Sequence, residues 1–444
     1  MTPPPTPPYA VVGGGPAAGA GARALAAAGA DVVLLTAEDR PPYDRTVLSK
    51  DFLLTPGSVV PPVWPPDAGW RQHIDVRTGA TVVALDPDAR ELTTASGERV
   101  VFEAVLLAPG AEPRRLGVPG ADGPGVHHLR DVADAARLSE AMDAARRLVV
   151  VGGGVIGLEV AAAAAMRGLD VEVVEATRRV LGRGVPAAVA DRLLALHARH
   201  GVSVRTSTSP DAVQRDASGA LTGVLLADGV VLPADLVVAG IGVRPREELA
   251  VAAGLTCDDG ILVDPSGRTS HPAVFAAGDA VRTRRPGELP GIRLESFTAA
   301  GRQGEVAAHA MLGGDDAFTD VPWWWSDQYD ATLQAIGVPP VRARERVREE
   351  VVEVPDGLLV LSFVDDRLVA ACGATSGPAI ARPVRAAGPV IAAGATVDVA
   401  ALRAAGHDLA ALASVLRSAA RASGGSGVPG EAQLDAAVAR VEPP

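Results

Sequence analysis

Two glycine clusters are the residues whose type and spacing point to chemistry. Residues 149–159 read VVVGGGVIGLE, which sets Gly152, Gly154 and Gly157 in G-x-G-x-x-G spacing. The first glycine permits a tight turn, the second lets a pyrophosphate reach the backbone, and the third packs a helix onto a strand. Glu175 closes the next apolar run, where an acid meets a ribose 2′-hydroxyl. The pattern occurs earlier as well, with Gly13, Gly15 and Ala18, Ala17 beside them, and Glu38 as the acid. The chemistry this predicts is the holding of two dinucleotides, either two substrates or a flavin and a nicotinamide.

The other reactive residue types are sparse. Cys257 and Cys372 are the only cysteines, so there is no C-x-x-C pair for disulfide relay and no set of four thiolates for an iron–sulfur cluster. No metal site is expected. Lys50 is the only lysine among 41 basic residues. An arginine-rich codon bias explains the arginines but not the exception, because arginine cannot replace a compact ammonium on a narrow stem.

These residues need strands and helices to hold them. Residues 9–12 and 31–35 read as buried strands around an Ala/Leu helix that Gly29 ends. Residues 149–151 and 171–174 do the same around the Ala-rich helix 156–166. A further buried strand ends at Gly278, with Asp279 expected at a helix N-terminus, where a carboxylate accepts from helix amides. Residues 342–397 alternate apolar and charged residues as strands do, and from Asp398 the chain is Ala-rich helix, then the linker 423–427.

Composition bounds the rest. At 444 residues the chain accommodates about three domains. A net charge of −12 without a basic block excludes nucleic acid as a partner. The Pro-rich start MTPPPTPPYA has no h-region, and the apolar window 149–166 carries Glu159 and three glycines. The expectation is therefore a cytoplasmic protein without a membrane span.

Residues 40–53, RPPYDRTVLSKDFL, resemble the R-P-Y-x-R-x-x-L-S-K segment of the FAD-dependent ferredoxin reductases. These are oxygenase-coupled and putidaredoxin-reductase-like members of the pyridine nucleotide-disulfide oxidoreductase superfamily. The resemblance runs on through VLLAPGAEPRR (105–115, with Pro109 for the family's threonine), HHLRDVADA, LVVAGIGVRP (236–245), TSHPAVFAAGDA (269–280), ESFTAAGRQG (295–304) and WWWSDQYDATLQ.

It implies an α/β fold of two Rossmann-like dinucleotide-binding domains, glutathione-reductase-like, plus a small α+β C-terminal domain. FAD is assigned to 1–115 and 241–320, NAD(H) to 116–240, the α+β domain to 321–400, and an Ala-rich helical tail with a flexible linker to 401–444. The FAD residues are Gly13, Gly15, Ala17, Ala18, Glu38 (one place after the family's usual acid, here Ala37), Arg45, Lys50, Val82, Arg130, Asp279, Phe297 and Trp325. Unpaired amides at the 295–304 helix start are expected to face the flavin's pyrimidine edge. The NAD residues are Gly152, Gly154, Ile156, Gly157, Glu159, Glu175, Arg183, Gly240 and Gly242.

Glu175 repels a 2′-phosphate and favours NADH, while Arg178, Arg179 and Arg183 keep NADP(H) as the weaker alternative. Lys50 and Glu159 are the catalytic pair that the resemblance suggests beside the ring. The implied activity is hydride transfer from NADH to FAD, then single electrons to a ferredoxin serving a monooxygenase or dioxygenase. Arg282, Arg284 and Arg285 form the candidate docking patch, and a homodimer stays open. The alternatives are an NADH oxidase or quinone reductase, and a redox interaction module like apoptosis-inducing factor.

Overall fold

The computed structural model describes residues 7–65, 68–284, 291, 293–337 and 347–423. They fall into two compact units, Met1–Leu181 with Leu196–Asp320, and Gly182–Ala195 with Val321–Pro444. The α-helices in chain order are α1 (Pro16–Ala27), α2 (Asp51–Leu54), α3 (Val132–Ala144), α4 (Val155–Met166) and α5 (Ala187–Arg199). They continue with α6 (Glu248–Ala252), α7 (Phe297–Met311), α8 (Ala381–Ala392), α9 (Val399–Ala405) and α10 (Leu409–Ala422). None of the described helices is long and apolar enough to cross a membrane.

The first unit holds two five-stranded parallel sheets. One runs Val274–Ala276, Val105–Leu107, Tyr9–Val12, Val32–Leu35, Ile74–Arg77, and the other Ser203–Thr206, Asp170–Glu175, Arg147–Val151, Leu236–Ala239, Val126–His127. Their central strands are short β-branched runs buried on both faces, as parallel strands covered by helices must be. The sheets are joined through an antiparallel ribbon of Ala111–Pro113 with Val243–Pro245. The central strand of each sheet runs into a glycine turn and then a helix, α1 or α4. Helix α1 packs on α7 at backbone range, because a Cβ on Gly304 would stand 2.2 Å from the Ala17 carbonyl oxygen.

Two expectations fail here. No helix follows Asp279: residues Gly278–Ala280 make one 3₁₀ turn, and the chain leaves as a strand, Val281–Thr283, parallel to Ile261–Val263. The β-branched Val281 and Thr283 favour that extended exit. The segment beyond residue 400 is also not a separate tail as far as it is described.

The second unit is an antiparallel sheet in the order Trp323–Gln328, Ala331–Gly337, Arg367–Ser376, Gly357–Val364, Arg348–Val354, with α8 packed against it and α10 against α8. Leu402, Leu412 and Leu416 are fully buried in the same core as Leu361 and Val384. Asp398 and Asp408 cap α9 and α10. The linker 423–427, apart from Ser423, lies outside the described residues.

Candidate functional site

Each glycine turn combines positions of close backbone approach with one of open space. Gly13 (φ +137°) and Gly152 (φ +109°) take the conformation other residues avoid, and a Cβ there would stand 2.1 Å from the Ala108 carbonyl oxygen and 2.4 Å from that of Gly240. Gly157 is equally tight, 2.1 Å from the Gly152 carbonyl oxygen. Gly15 and Gly154 are the opposite, for a Cβ on either would meet nothing within 4 Å. Both are helix N-caps without a side-chain hydrogen bond, whereas Asp131, Ser296, Asp398 and Asp408 cap α3, α7, α9 and α10. Open space over uncapped helix amides fits a dinucleotide's pyrophosphate in both turns.

Both acids that follow the glycine turns are held by hydrogen bonds. One Glu175 oxygen accepts from the Gly153 amide at 2.8 Å, the other from the Thr177 amide (2.7 Å) and hydroxyl (2.6 Å). Glu38 accepts from the Tyr43 hydroxyl at 2.6 Å and pairs with Arg45, whose guanidinium also donates to the Arg130 and Gly14 carbonyls. Burial pushes the Tyr43 phenol's pKa up, so it remains a donor. The Val132 amide donates to the same hydroxyl, which ties α3 to the Arg40–Leu53 segment.

Arg130, in the loop after the Val126–His127 strand, and Asp279, in the turn after the Val274–Ala276 strand of the other sheet, meet as an ion pair at 2.8 Å. The buried Gln303 accepts from the Gly278 amide at 2.9 Å and fixes that turn. At the start of α7 the Ser296 hydroxyl accepts from the Ala299 amide at 3.3 Å, so one of the amides expected to be unpaired is taken. Val82 opens the Val82–Asp86 strand, and Gly240 and Gly242 follow the Leu236–Ala239 strand. Ile156, at the first turn of α4, is exposed. Arg183 and Trp325 fall in the second unit, where Trp325 stacks on Trp323 with centroids 5.0 Å apart. Of the three candidate docking arginines, Arg282 is engaged with Asp258 at 3.0 Å, Arg284 is exposed, and Arg285 lies outside the described residues.

Lys50 and Glu159 meet. The Lys50 Nζ stands 3.5 Å from Glu159 Oε1, both side chains nearly buried, one from the loop before α2 and the other one turn into α4. Sequence reasoning did not reach the third member: the Ser49 hydroxyl donates to Glu159 Oε2. Nor did it reach Arg167, at the far end of α4, which donates to the Leu53 carbonyl at 2.9 Å and to Ser139 on α3. Helix α4 therefore holds the Lys50 segment at two points. Ser49 and Tyr43 lie within the R-P-P-Y-D-R-T-V-L-S-K run, and their place in it was the available signal. Arg167 carried none.

Residues 7–304 match the pyridine nucleotide-disulphide oxidoreductase model, and 323–413 the reductase C-terminal model. The chain belongs to the pyridine nucleotide-disulphide oxidoreductase family. It is a flavin-dependent oxidoreductase of the ferredoxin-reductase type. It is 39% identical over 395 residues to the ferredoxin–NAD(+) reductase component of the anthranilate 1,2-dioxygenase system of Burkholderia cepacia, covering 88% of this chain and 95% of the relative. It is 38% identical to rhodocoxin reductase of Rhodococcus erythropolis, covering 74% and 77%. Its fold superimposes on putidaredoxin reductase in a covalent complex with putidaredoxin at a TM-score of 0.82 and 30% identity, over 94% and 99%. The C-terminal match continues past residue 400, as the buried α9 and α10 require.

Proposed function

We propose that this chain is an FAD-dependent NADH:ferredoxin reductase in the cytoplasm, delivering single electrons to a small iron–sulfur protein that feeds an oxygenase. The observation that carries the reading is the meeting of Lys50 and Glu159 from the two dinucleotide units. FAD, when bound, supplies the conversion of a two-electron hydride donor into single electrons. The protein's work is to hold and align.

The α1 amides behind Gly13, Gly15, Ala17 and Ala18 would take the flavin's pyrophosphate, with Glu38 on its ribose and Arg45 held close by. Val82, Arg130, Asp279 and Phe297 are assigned to the same cofactor. The α4 amides behind Gly152, Gly154 and Gly157 would take the NADH pyrophosphate, with Ile156 beside it, Glu175 on the ribose hydroxyls, and Gly240 and Gly242 along the nicotinamide side. Glu175 opposes a 2′-phosphate, which favours NADH over NADPH. Lys50 would present its ammonium where negative charge develops, and Glu159 holds that ammonium in place. Alone, Glu159 would be a buried charge at a cost of several kcal/mol.

Both cysteines are free, and the chain has no dithiol motif to take the electrons onward. That leaves an external one-electron acceptor. Complexes of that kind are small and steered by charge.

The test is an anaerobic NADH titration of the FAD-loaded protein, followed by cytochrome c reduction with and without a panel of ferredoxins. Reduction of cytochrome c only when ferredoxin is present is expected. Fast oxygen or quinone turnover that ferredoxin does not change would replace this reading with an oxidase. A long-lived NADH complex with slow turnover would replace it with a redox interaction module.

A further inference from the structure

Glu38 is a partly exposed acid held by a deeply buried side chain. The Tyr43 hydroxyl donates to Glu38 Oε2 at 2.6 Å and accepts at 3.1 Å from the amide of Val132, the first residue of α3. Tyr43 is 3% exposed, whereas the Glu38 side chain is 23% exposed. Burial raises the phenol's pKa, so its proton stays on the oxygen. The donors therefore run one way, from the helix amide through the phenol to the carboxylate, and each bond polarises the next. Glu38 Oε1 pairs with Arg45, whose guanidinium carbon lies 4.9 Å from the centroid of the Tyr43 ring. That guanidinium also donates to the Arg130 carbonyl at 3.2 Å and the Gly14 carbonyl at 3.4 Å.

We propose that Tyr43 is a positioning residue for the cofactor: its hydroxyl fixes the Glu38 carboxylate where it accepts from the adenosine ribose of FAD. The anchor is α3, which follows the edge strand of the other sheet. This deepens the reading of Glu38 as the flavin's ribose acid and rests on it. Tyr43 and Arg45 each engage one oxygen of a group that offers about four lone-pair sites, so the acid is held and still has capacity for a ribose hydroxyl. Arg45 does not replace the phenol, because its guanidinium is shared between Glu38 and two carbonyls. Without the phenol, Oε2 turns toward water, and binding must then order the acid as well as the ribose.

Tyr43→Phe removes the hydroxyl but keeps the ring beneath Arg45, and a thermal melt of the holoprotein checks that the fold is retained. The Val132 amide loses its acceptor whether or not FAD is bound, so that cost cancels from the dissociation constant. Dissociation is read by flavin fluorescence on serial dilution of the holoprotein, loaded with FAD or with the analogue whose adenosine lacks the ribose 2′-hydroxyl. The parent is expected to hold FAD more tightly than the analogue. Tyr43→Phe is expected to weaken FAD about 10-fold, the low end for a hydrogen bond to a charged group, and the analogue much less, so that the preference shrinks.

Glu38→Ala is expected to lose the preference, and in that background Tyr43→Phe adds no further loss. Parent-like FAD dissociation in Tyr43→Phe overturns the proposal. So does an equal loss for FAD and the analogue, which is what a merely structural phenol would give, or a loss that persists undiminished in Glu38→Ala. If Glu38→Ala itself keeps the parent's preference for FAD, the ribose reading of Glu38 fails, and that one variant tells the two failures apart.

Discussion

Substituting alanine at Gly154 separates the fold from the site. An added Cβ there meets no protein atom within 4 Å, and the residue's backbone (φ −79°, ψ −179°) suits alanine. The cost to folding is that of exchanging glycine for alanine at an N-cap, about 0.5–1 kcal/mol. The cost to binding is larger, because the methyl group occupies the space through which a pyrophosphate would reach the α4 amides. Loss of one charge-assisted hydrogen bond is worth about 1.5–3 kcal/mol, or roughly 10- to 100-fold in affinity.

At Gly152 the order reverses. The left-handed backbone (φ +109°) costs about 1–2 kcal/mol with a side chain present, and the Cβ would lie 2.4 Å from the Gly240 carbonyl oxygen, which no rotamer can relieve. Gly154→Ala should thus keep its melting temperature within a few degrees while the NADH KM rises about 10- to 100-fold. Gly152→Ala should melt well below the parent. Thermal melts of the FAD-loaded proteins and NADH saturation curves read both quantities. Parent-like NADH binding by Gly154→Ala would refute the assignment of that turn to the pyrophosphate.

Three further outcomes follow from the geometry. Glu175→Ala removes the acceptor of the Gly153 and Thr177 donors, so NADH kcat/KM should fall about 10-fold while NADPH kcat/KM does not. An unchanged ratio of the two would show that coenzyme choice lies elsewhere. Burial pushes the Cys257 thiol up to about 11 from an ordinary 9.0. Its contribution to stability is present below pH 9 and lost as pH rises from 9 to 11, and native protein at pH 8 should react with a disulfide reagent far more slowly than unfolded protein. Leu416→Ala should cost about 2–5 kcal/mol as a fully buried leucine, so the second unit unfolds earlier in a melt followed by hydrogen exchange. A parent-like exchange pattern would return α10 to the status of an appended tail.

What could be read from the sequence was set by how local each signal is. The glycine turns, their acids and their flanking strands lie within about thirty residues of one another, and the backbone demands of Gly13 and Gly152 leave little choice of residue. Asp279 misled because a carboxylate after a buried strand and glycine looks the same before a helix as before a 3₁₀ turn. The two are distinguished by Val281 and Thr283, and by a parallel partner, Ile261–Val263, that no local pattern reveals. The helices beyond residue 400 misled for a related reason. An Ala-rich amphipathic stretch next to a Gly/Ser linker has the composition of a tail, and only the burial of Leu402, Leu412 and Leu416 against α8 and the sheet makes it core.

The candidate centre divides along the same line. Lys50 stood out by being alone of its kind, and Glu159 by sitting on an otherwise apolar helix. Ser49 is a common residue whose importance depends wholly on which atom lies across from it, 110 positions along the chain. A buried carboxylate also constrains its surroundings more than an exposed one does. Once Glu159 is placed in an apolar helix, the chain must supply donors nearby, because a carboxylate offers about four lone-pair sites. The demand for donors was therefore implicit in the sequence, and only their identity had to wait for the fold. The same reasoning makes Ser49 a sharper probe than Lys50 or Glu159. Removing either charge strands the other, so any loss mixes a folding penalty with a chemical one. Removing a neutral hydroxyl leaves both charges present.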